Sequence, residues 1–239
     1  MALACLLGMA LLVHLGRWQW NKADASQAAL ARFLAQDRLP PRAMGPARIE
    51  PGPADGARFT VRGRYLAERQ FFVDNRQHDG IPGVEVLTPL RIEGGATLLL
   101  IDRGWIAWPQ GRRILPEVAV PSGPVAVSGR ALVPSTKKFL LVANATEESP
   151  RLWVRPDVRH FARVTGAPVQ PVVLLQDPGP PADGLVRDWP APENKTAMHR
   201  GYAWQWFGMA FVLLVFSIHA AWRGQRAANE PSARDRDEG

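Results

Sequence analysis

A chain of 239 residues with an apolar stretch at each end leaves room for one water-soluble domain of about 180 residues, enough for a real core and not comfortably for two. The formal charge of +7 comes from arginines spread along the chain without a long basic run, which speaks against nucleic acid as a partner. The one cysteine, Cys5, excludes an internal disulfide, a Cys-x-x-Cys redox pair and covalent haem attachment through Cys-x-x-Cys-His.

Met1 to Leu15 is apolar apart from His14, and at about 15 residues it is short for a bilayer span and also suits the core of a secretory signal. The flanks argue against cleavage. No basic leader precedes it (a start upstream of Met1 would supply one), no small-x-small site follows, and Gly16-Arg17-Trp18-Gln19-Trp20 reads as an interfacial cluster. Residues 1–20 are therefore expected to be a retained first transmembrane helix. Ala23 to Gln36 carries Ala28, Ala29, Leu30, Phe33 and Leu34 on roughly one face, with Asp24 or Ser26 as a cap, and predicts a helix leaving the membrane that Pro40-Pro41 stops.

A Pro- and Gly-rich connector runs to about Gly56. Phe59, Val61, Gly63 and Tyr65 then alternate with Arg58, Thr60, Arg62 and Arg64, the pattern of a half-buried strand. Gln70 to Asp74, Val84 to Leu90, Thr97 to Ile106 and Val125 to Leu132 predict further strands, bounded by turn signals such as Asp79-Gly80 and Gly94-Gly95. Together they suggest one antiparallel or mixed sheet. Pro156 opens a short helix over Asp157 to Thr165 that Gly166 ends, and Pro171 to Gln176 returns as a strand. Asp177 to Pro192 is a loop leading back to the membrane.

From Tyr202 to Trp222 there is no Asp, Glu, Lys or Arg, and about 21 residues at ~1.5 Å each cover a hydrocarbon core of roughly 30 Å. Tyr202, Trp204 and Trp206 mark one end and Trp222 the other, with Arg200 and Arg223 outside them. Arg223 and Arg226, in a short tail beside this span, place both termini in the cytoplasm; Arg17 and Lys22 count the other way, but a loop this long says little about orientation. The expected fold class is a membrane protein with two transmembrane helices flanking a β-rich α+β periplasmic domain. Its parts are a first transmembrane helix over 1–20, the periplasmic domain over 21–200, a second transmembrane helix over 201–222 and a disordered cytoplasmic tail over 223–239.

Signatures of an enzyme are thin, with no Gly-x-Ser-x-Gly, His-Glu-x-x-His or phosphate loop, so the chain is expected not to be an enzyme. An arginine closes each of two strands, in Asp74-Asn75-Arg76 before Asp79-Gly80-Ile81-Pro82-Gly83 and in Asp102-Arg103-Gly104-Trp105. On residue chemistry alone these hold loops by charge-assisted hydrogen bonds, with Trp105 in the core. His219, one turn before Arg223, reads as an interfacial residue, whereas His199 stands beside an aromatic cluster with a ring that can ligate a metal.

Taken together, Leu15-Gly16-Arg17-Trp18-Gln19, Asp74-Asn75-Arg76 with Gly80-Ile81-Pro82-Gly83 and Thr88-Pro89-Leu90, Arg103-Gly104-Trp105 and His199-x-x-Tyr202-Ala203-x-Gln205-Trp206-Phe207 resemble the Surfeit locus protein 1 or Shy-type assembly factors of cytochrome c oxidase, over about residues 5 to 222. The chain departs at Trp20-Asn21-Lys22, where that family commonly has Leu and Arg.

The resemblance implies a helper of haem-copper oxidase biogenesis in the bacterial inner membrane. It would bind haem a non-covalently and support its insertion into the catalytic subunit, with that subunit and haem a synthase as partners. It carries His199 over as ligand to the haem iron, with Tyr202 and Trp206 beside the macrocycle. Trp18, Gln19, Asn75, Arg76, Arg103, Trp105 and Gln205 become partner-facing or structural residues. His14, near the same membrane edge if the first span enters from the cytoplasm, is either a second axial ligand or a tolerated polar residue. A scaffold that grips oxidase subunits without haem is the alternative from another class. A copper carrier would want clustered Cys, Met and His, and only Met198-His199 hints at one.

Overall fold

The computed structural model describes residues 2–109, 114–134, 150–179 and 183–228. Its first element, α1, runs unbroken over Ala2–Asp37. The expected separate helix over 23–36 is thus the continuation of the N-terminal one: nothing between Gly16 and Asp24 stops a helix, because Trp, Gln, Asn and Lys are tolerated in its interior. The last helix, α4, spans Thr196–Ala228. It therefore extends six residues past Trp222, and the rest of the expected tail lies outside the described residues. Two compact units emerge, the described parts of Met1–Ala31 with Pro192–Gly239, and Arg32–Ala191.

In the second unit eight strands form a mixed sheet: β1 Arg42–Met44, β2 Arg58–Tyr65, β3 Phe71–His78, β4 Ile81–Ile92, β5 Leu98–Ala107, β6 Pro124–Leu132, β7 Leu152–Trp153 and β8 Val169–Gln176. Strands β2, β6, β8, β5 and β4 pair in that order and β4 returns to β2, so five of the eight close into a ring. Alternate residues fill it. Phe59 and Val61, Leu90 and Ile92, Leu99 and Ile101, Val127 and Ala131, Val172 and Leu174 make one buried cluster, the period-two pattern visible in β2 extended to its neighbours.

Strand β4 is long because two partners share one of its edges: β3 pairs with Ile81 to Leu87 and β2 with Leu90 to Ile92. Pro89 sits at the changeover. Its carbonyl accepts Leu66 N–H at 2.9 Å on that edge, so its missing N–H falls where neither strand needs a donor. The β3–β4 turn, Asp79 at φ 50° and Gly80 at φ 77°, is the two-residue hairpin that Asp-Gly predicts.

Helix α3 spans Val158–Thr165: Asp157 Oδ1 accepts His160 N–H at 2.9 Å as the N-cap, and Gly166 at φ 65° ends it. It lays Phe161 on Phe71 and Trp153 over the outer face of the ring. The connector up to Gly56 proves to hold β1 and the short helix α2, Pro51–Ala54. Gln170, fully buried, holds that stretch by accepting Ile49 N–H and donating to the carbonyls of Gly45 and Ala47. Among the described residues one helix is long and apolar enough to cross a membrane: Thr196–Arg226 of α4, with mean hydropathy 1.5. Helix α1 is long, but His14, Arg17, Asn21, Lys22 and Asp24 interrupt its apolar run.

Candidate functional site

Within the first unit, small residues let α1 and α4 approach closely. Gly16 is buried, and a Cβ there would lie 2.4 Å from the Phe207 ring; Ala23 and Ala203 are fully buried, and Ala210 nearly so. Gly16 and Ala23 are seven residues apart, as are Ala203 and Ala210, so each pair occupies one stripe of its helix. Polar bonds cross the same seam. Gln19 Oε1 accepts a hydrogen bond from His199 Nδ1–H at 2.8 Å, and Arg200 donates to Gln27 at 3.1 Å and lies 3.8 Å from Asp24. Trp20 meets Trp204 edge-on at 6.2 Å, with the Arg200 guanidinium 5.6 Å from the Trp20 ring centre.

The first and last quoted motifs thus come together along one seam, through Gly16 on Phe207 and Gln19 on His199. His199 and Trp206, seven residues apart, share a stripe of α4 with Tyr202 close beside it; Trp206 is half-buried and Tyr202 exposed. Gln205 is exposed along α4 with Met209, Val212 and Phe216. Trp18 is also exposed, with Lys22 Nζ 5.5 Å from its ring centre, and it lines a groove with Val13, His14 and Arg17. His14 lies about 200° round the helix from Gly16, so it faces away from the seam and is not brought to His199. Sequence reasoning missed the seam glycine and alanines, whose one signal is a seven-residue spacing of small residues.

In the second unit the two arginine motifs prove to be β-bulges rather than strand ends. In β3, Val73 pairs with Glu85 but Arg76 with Gly83, so one extra residue is accommodated around Asn75, which sits at φ 59°. In β5, Trp105 pairs with Glu85 and Asp102 with Leu87, an extra residue accommodated around Gly104 at φ 133°. The consequence follows from strand parity: Arg76, Glu85 and Asp102 share one face of three adjacent strands, and Arg103 points to the other.

Arg76 Nε lies 2.7 Å from Glu85. Asp102, buried and bonded to Gly104 N–H at 3.2 Å, has its carboxyl pushed well above the usual range by burial and by the neighbouring Glu85 charge. Arg103 enters the ring interior, where Nη1 donates to Gln70 at 3.2 Å and Nη2 to Asp183 at 3.3 Å, and its guanidinium stands 5.5 Å from the Tyr65 ring centre. Thr88 donates to the same Gln70 oxygen at 2.8 Å, and Arg187 also pairs with Asp183. Burial pushes the Tyr65 hydroxyl up to about 12 against the pull of Arg103, and it lowers the Arg103 guanidinium. Burial would raise Asp183 too, but bonds from Arg187 and the Leu185 N–H outweigh it and hold that carboxyl below its ordinary value. Trp105 is half-buried rather than core, and exchanges backbone bonds of 2.8 Å with Val186. Gln70, Asp183 and Arg187 carry no local sequence signal, and Thr88 was singled out only within Thr88-Pro89-Leu90, since only the closed ring makes the four neighbours of Arg103.

A sheet-rich α+β domain, a candidate membrane helix and a small-residue seam define the class as a membrane-helix-bearing α+β protein. Residues 6–211 match the model of the SURF1 family, and the chain belongs to that family. It is similar to a SURF1-like protein of Rickettsia bellii, 24% identical over 219 residues that cover 89% of this chain and 87% of the relative. It is also similar to the Cytochrome oxidase assembly protein SHY1 of Saccharomyces cerevisiae, 26% identical over 165 residues, 66% of this chain and 42% of the yeast protein.

Proposed function

We propose that this chain is an assembly factor for cytochrome oxidase, non-enzymatic and held in the bacterial inner membrane by two helices with its sheet domain in the periplasm. It holds haem a and supports its insertion into the catalytic subunit, with that subunit and haem a synthase as partners. Membership of the SURF1 family and the similarity to the yeast cytochrome oxidase assembly protein support the oxidase client.

The observation that carries the haem reading is the bond between Gln19 and His199 Nδ1. Nδ1–H is donated to the amide oxygen, and Nε2 takes no hydrogen bond from a described residue. The residues fit the group. Haem a would supply an iron that takes an imidazole nitrogen, together with an apolar macrocycle. His199 would offer the nitrogen, Tyr202 and Trp206 the apolar surface beside it, and Arg200, at the same helix end, a cation for acidic groups.

The test is spectroscopic. Full-length protein purified from cells that make haem a should show a Soret band. His199→Ala should remain in the membrane with its thermal unfolding nearly unchanged while the band shifts and haem content falls. A wild-type spectrum and content in His199→Ala would leave the scaffold that grips oxidase subunits without haem.

A further inference from the structure

Among the described residues the hydrogen bond to the His199 ring comes not from α4 itself but from the opposite helix. Gln19 stands between Gly16, one turn before it against Phe207, and Ala23, one turn after it and fully buried, so its backbone is pinned where the two helices run closest. The neighbouring cation does not use this amide: Arg200 donates to Gln27 at 3.1 Å and lies 3.8 Å from Asp24. Only the amide oxygen faces the ring, at 2.8 Å from Nδ1, and an amide oxygen can only accept.

We infer that Gln19 is a positioning residue that holds His199 as the Nδ1–H tautomer and so presents the Nε2 lone pair as the ligating atom. An unconstrained neutral imidazole favours the proton on Nε2, the form in which that lone pair is absent. The seam reverses this preference before any ligand arrives. The inference rests on the haem reading only for what the lone pair meets; the tautomer is a property of the protein alone. Oriented ligand histidines generally depend on such a bond from their other nitrogen, and its loss weakens ligand binding by about 10- to 100-fold.

Two measurements on full-length protein in detergent test it. Imidazole nitrogen shifts of histidine-labelled, haem-free protein, with the His199 signals assigned by their loss in His199→Gln, should show a proton on Nδ1 and a bare Nε2. In Gln19→Leu the proton should move to Nε2 and the affinity for added iron protoporphyrin IX should fall by about tenfold or more. Gln19→Glu keeps an acceptor in place and should keep the Nδ1–H form, which preserves the test if Gln19→Leu does not fold. An unchanged tautomer in Gln19→Leu, or an Nε2–H form in wild type or in Gln19→Glu, overturns the inference. If wild type takes up no porphyrin iron yet shows a Gln19-dependent Nδ1–H form, the positioning role stands and the haem reading falls. If it binds through His199 and Gln19→Leu changes neither tautomer nor affinity, the reverse holds.

Discussion

Asp102 and Arg103 are adjacent in sequence, both 2% exposed and opposite in role. Burial and Glu85 raise the Asp102 carboxyl, so over the range above about pH 4 the folded protein holds a proton there more tightly than the unfolded chain does. With more protons on the folded state, the contribution of Asp102 to stability has a negative slope with pH: it is fully present below the ordinary carboxylate range and is lost as pH rises through the raised value. Asp102→Asn keeps an acceptor for Gly104 N–H and should flatten that decline, which thermal melts between about pH 4 and 8 will read; an unchanged slope would place the proton elsewhere. Arg103 divides its nitrogens between Gln70 and Asp183, and a lysine reaches one of them. Arg103→Lys should therefore cost about 2 kcal/mol in denaturant unfolding, and a change under a few tenths would show that the forked arrangement contributes little. The Asp-Asn-Arg and Arg-Gly-Trp runs were visible in sequence, as was their reliance on charge-assisted bonds. That they are bulges was not, because a bulge is defined by the partner strand's register, and β4 lies a turn away in sequence from each of them.

At the scale of elements, sequence periodicity found what burial repeats every second residue, missed the seven-residue spacing of small residues in the helix seam, and failed where pairing depends on distant partners. Phe59 to Tyr65, Val125 to Leu132 and the Asp-Gly hairpin all follow their patterns, whereas β1 and β7 have three and two residues and exist only because a long neighbour offers an edge. His199 and Gln19 were each singled out from the chain, but their contact was not, since 180 residues separate them. The helix seam that joins them can be probed through its smallest member. Gly16→Ala puts a methyl group into the Phe207 ring and should destabilise by about 1–3 kcal/mol through overpacking. Gly201→Ala is the matched control: nothing lies within 4 Å of a Cβ there, so helix propensity alone should act, gaining up to about 1 kcal/mol. Unfolding in detergent followed by tryptophan fluorescence separates the two, and equal effects would mean that the seam is not tightly packed.

For the whole molecule, the proposed function depends on which side of the membrane each part occupies. Helix α4 contains the candidate span and ends in a stretch with Arg223 and Arg226, whose position beside a span favours the cytoplasm. If α4 leaves the membrane there, His199, more than twenty residues earlier on the same helix, lies at the opposite face. The sheet domain, whose chain leads directly into that end of α4, then lies on that opposite side as well, and α1 carries the N-terminus back if it crosses in its turn. Helix α1 has the length for it, with its interrupting polar residues beginning at His14 and its most apolar turns before them. Gly94, in the exposed β4–β5 turn at φ 81°, accepts an insertion without breaking a strand pair. A phosphatase reporter active only in the periplasm should therefore be active when inserted at Gly94 and inactive when fused after Arg226. Activity at both would leave α4 outside the membrane. Activity after Arg226 alone would invert the protein and put His199 on the cytoplasmic face, away from the side on which the proposal has it work.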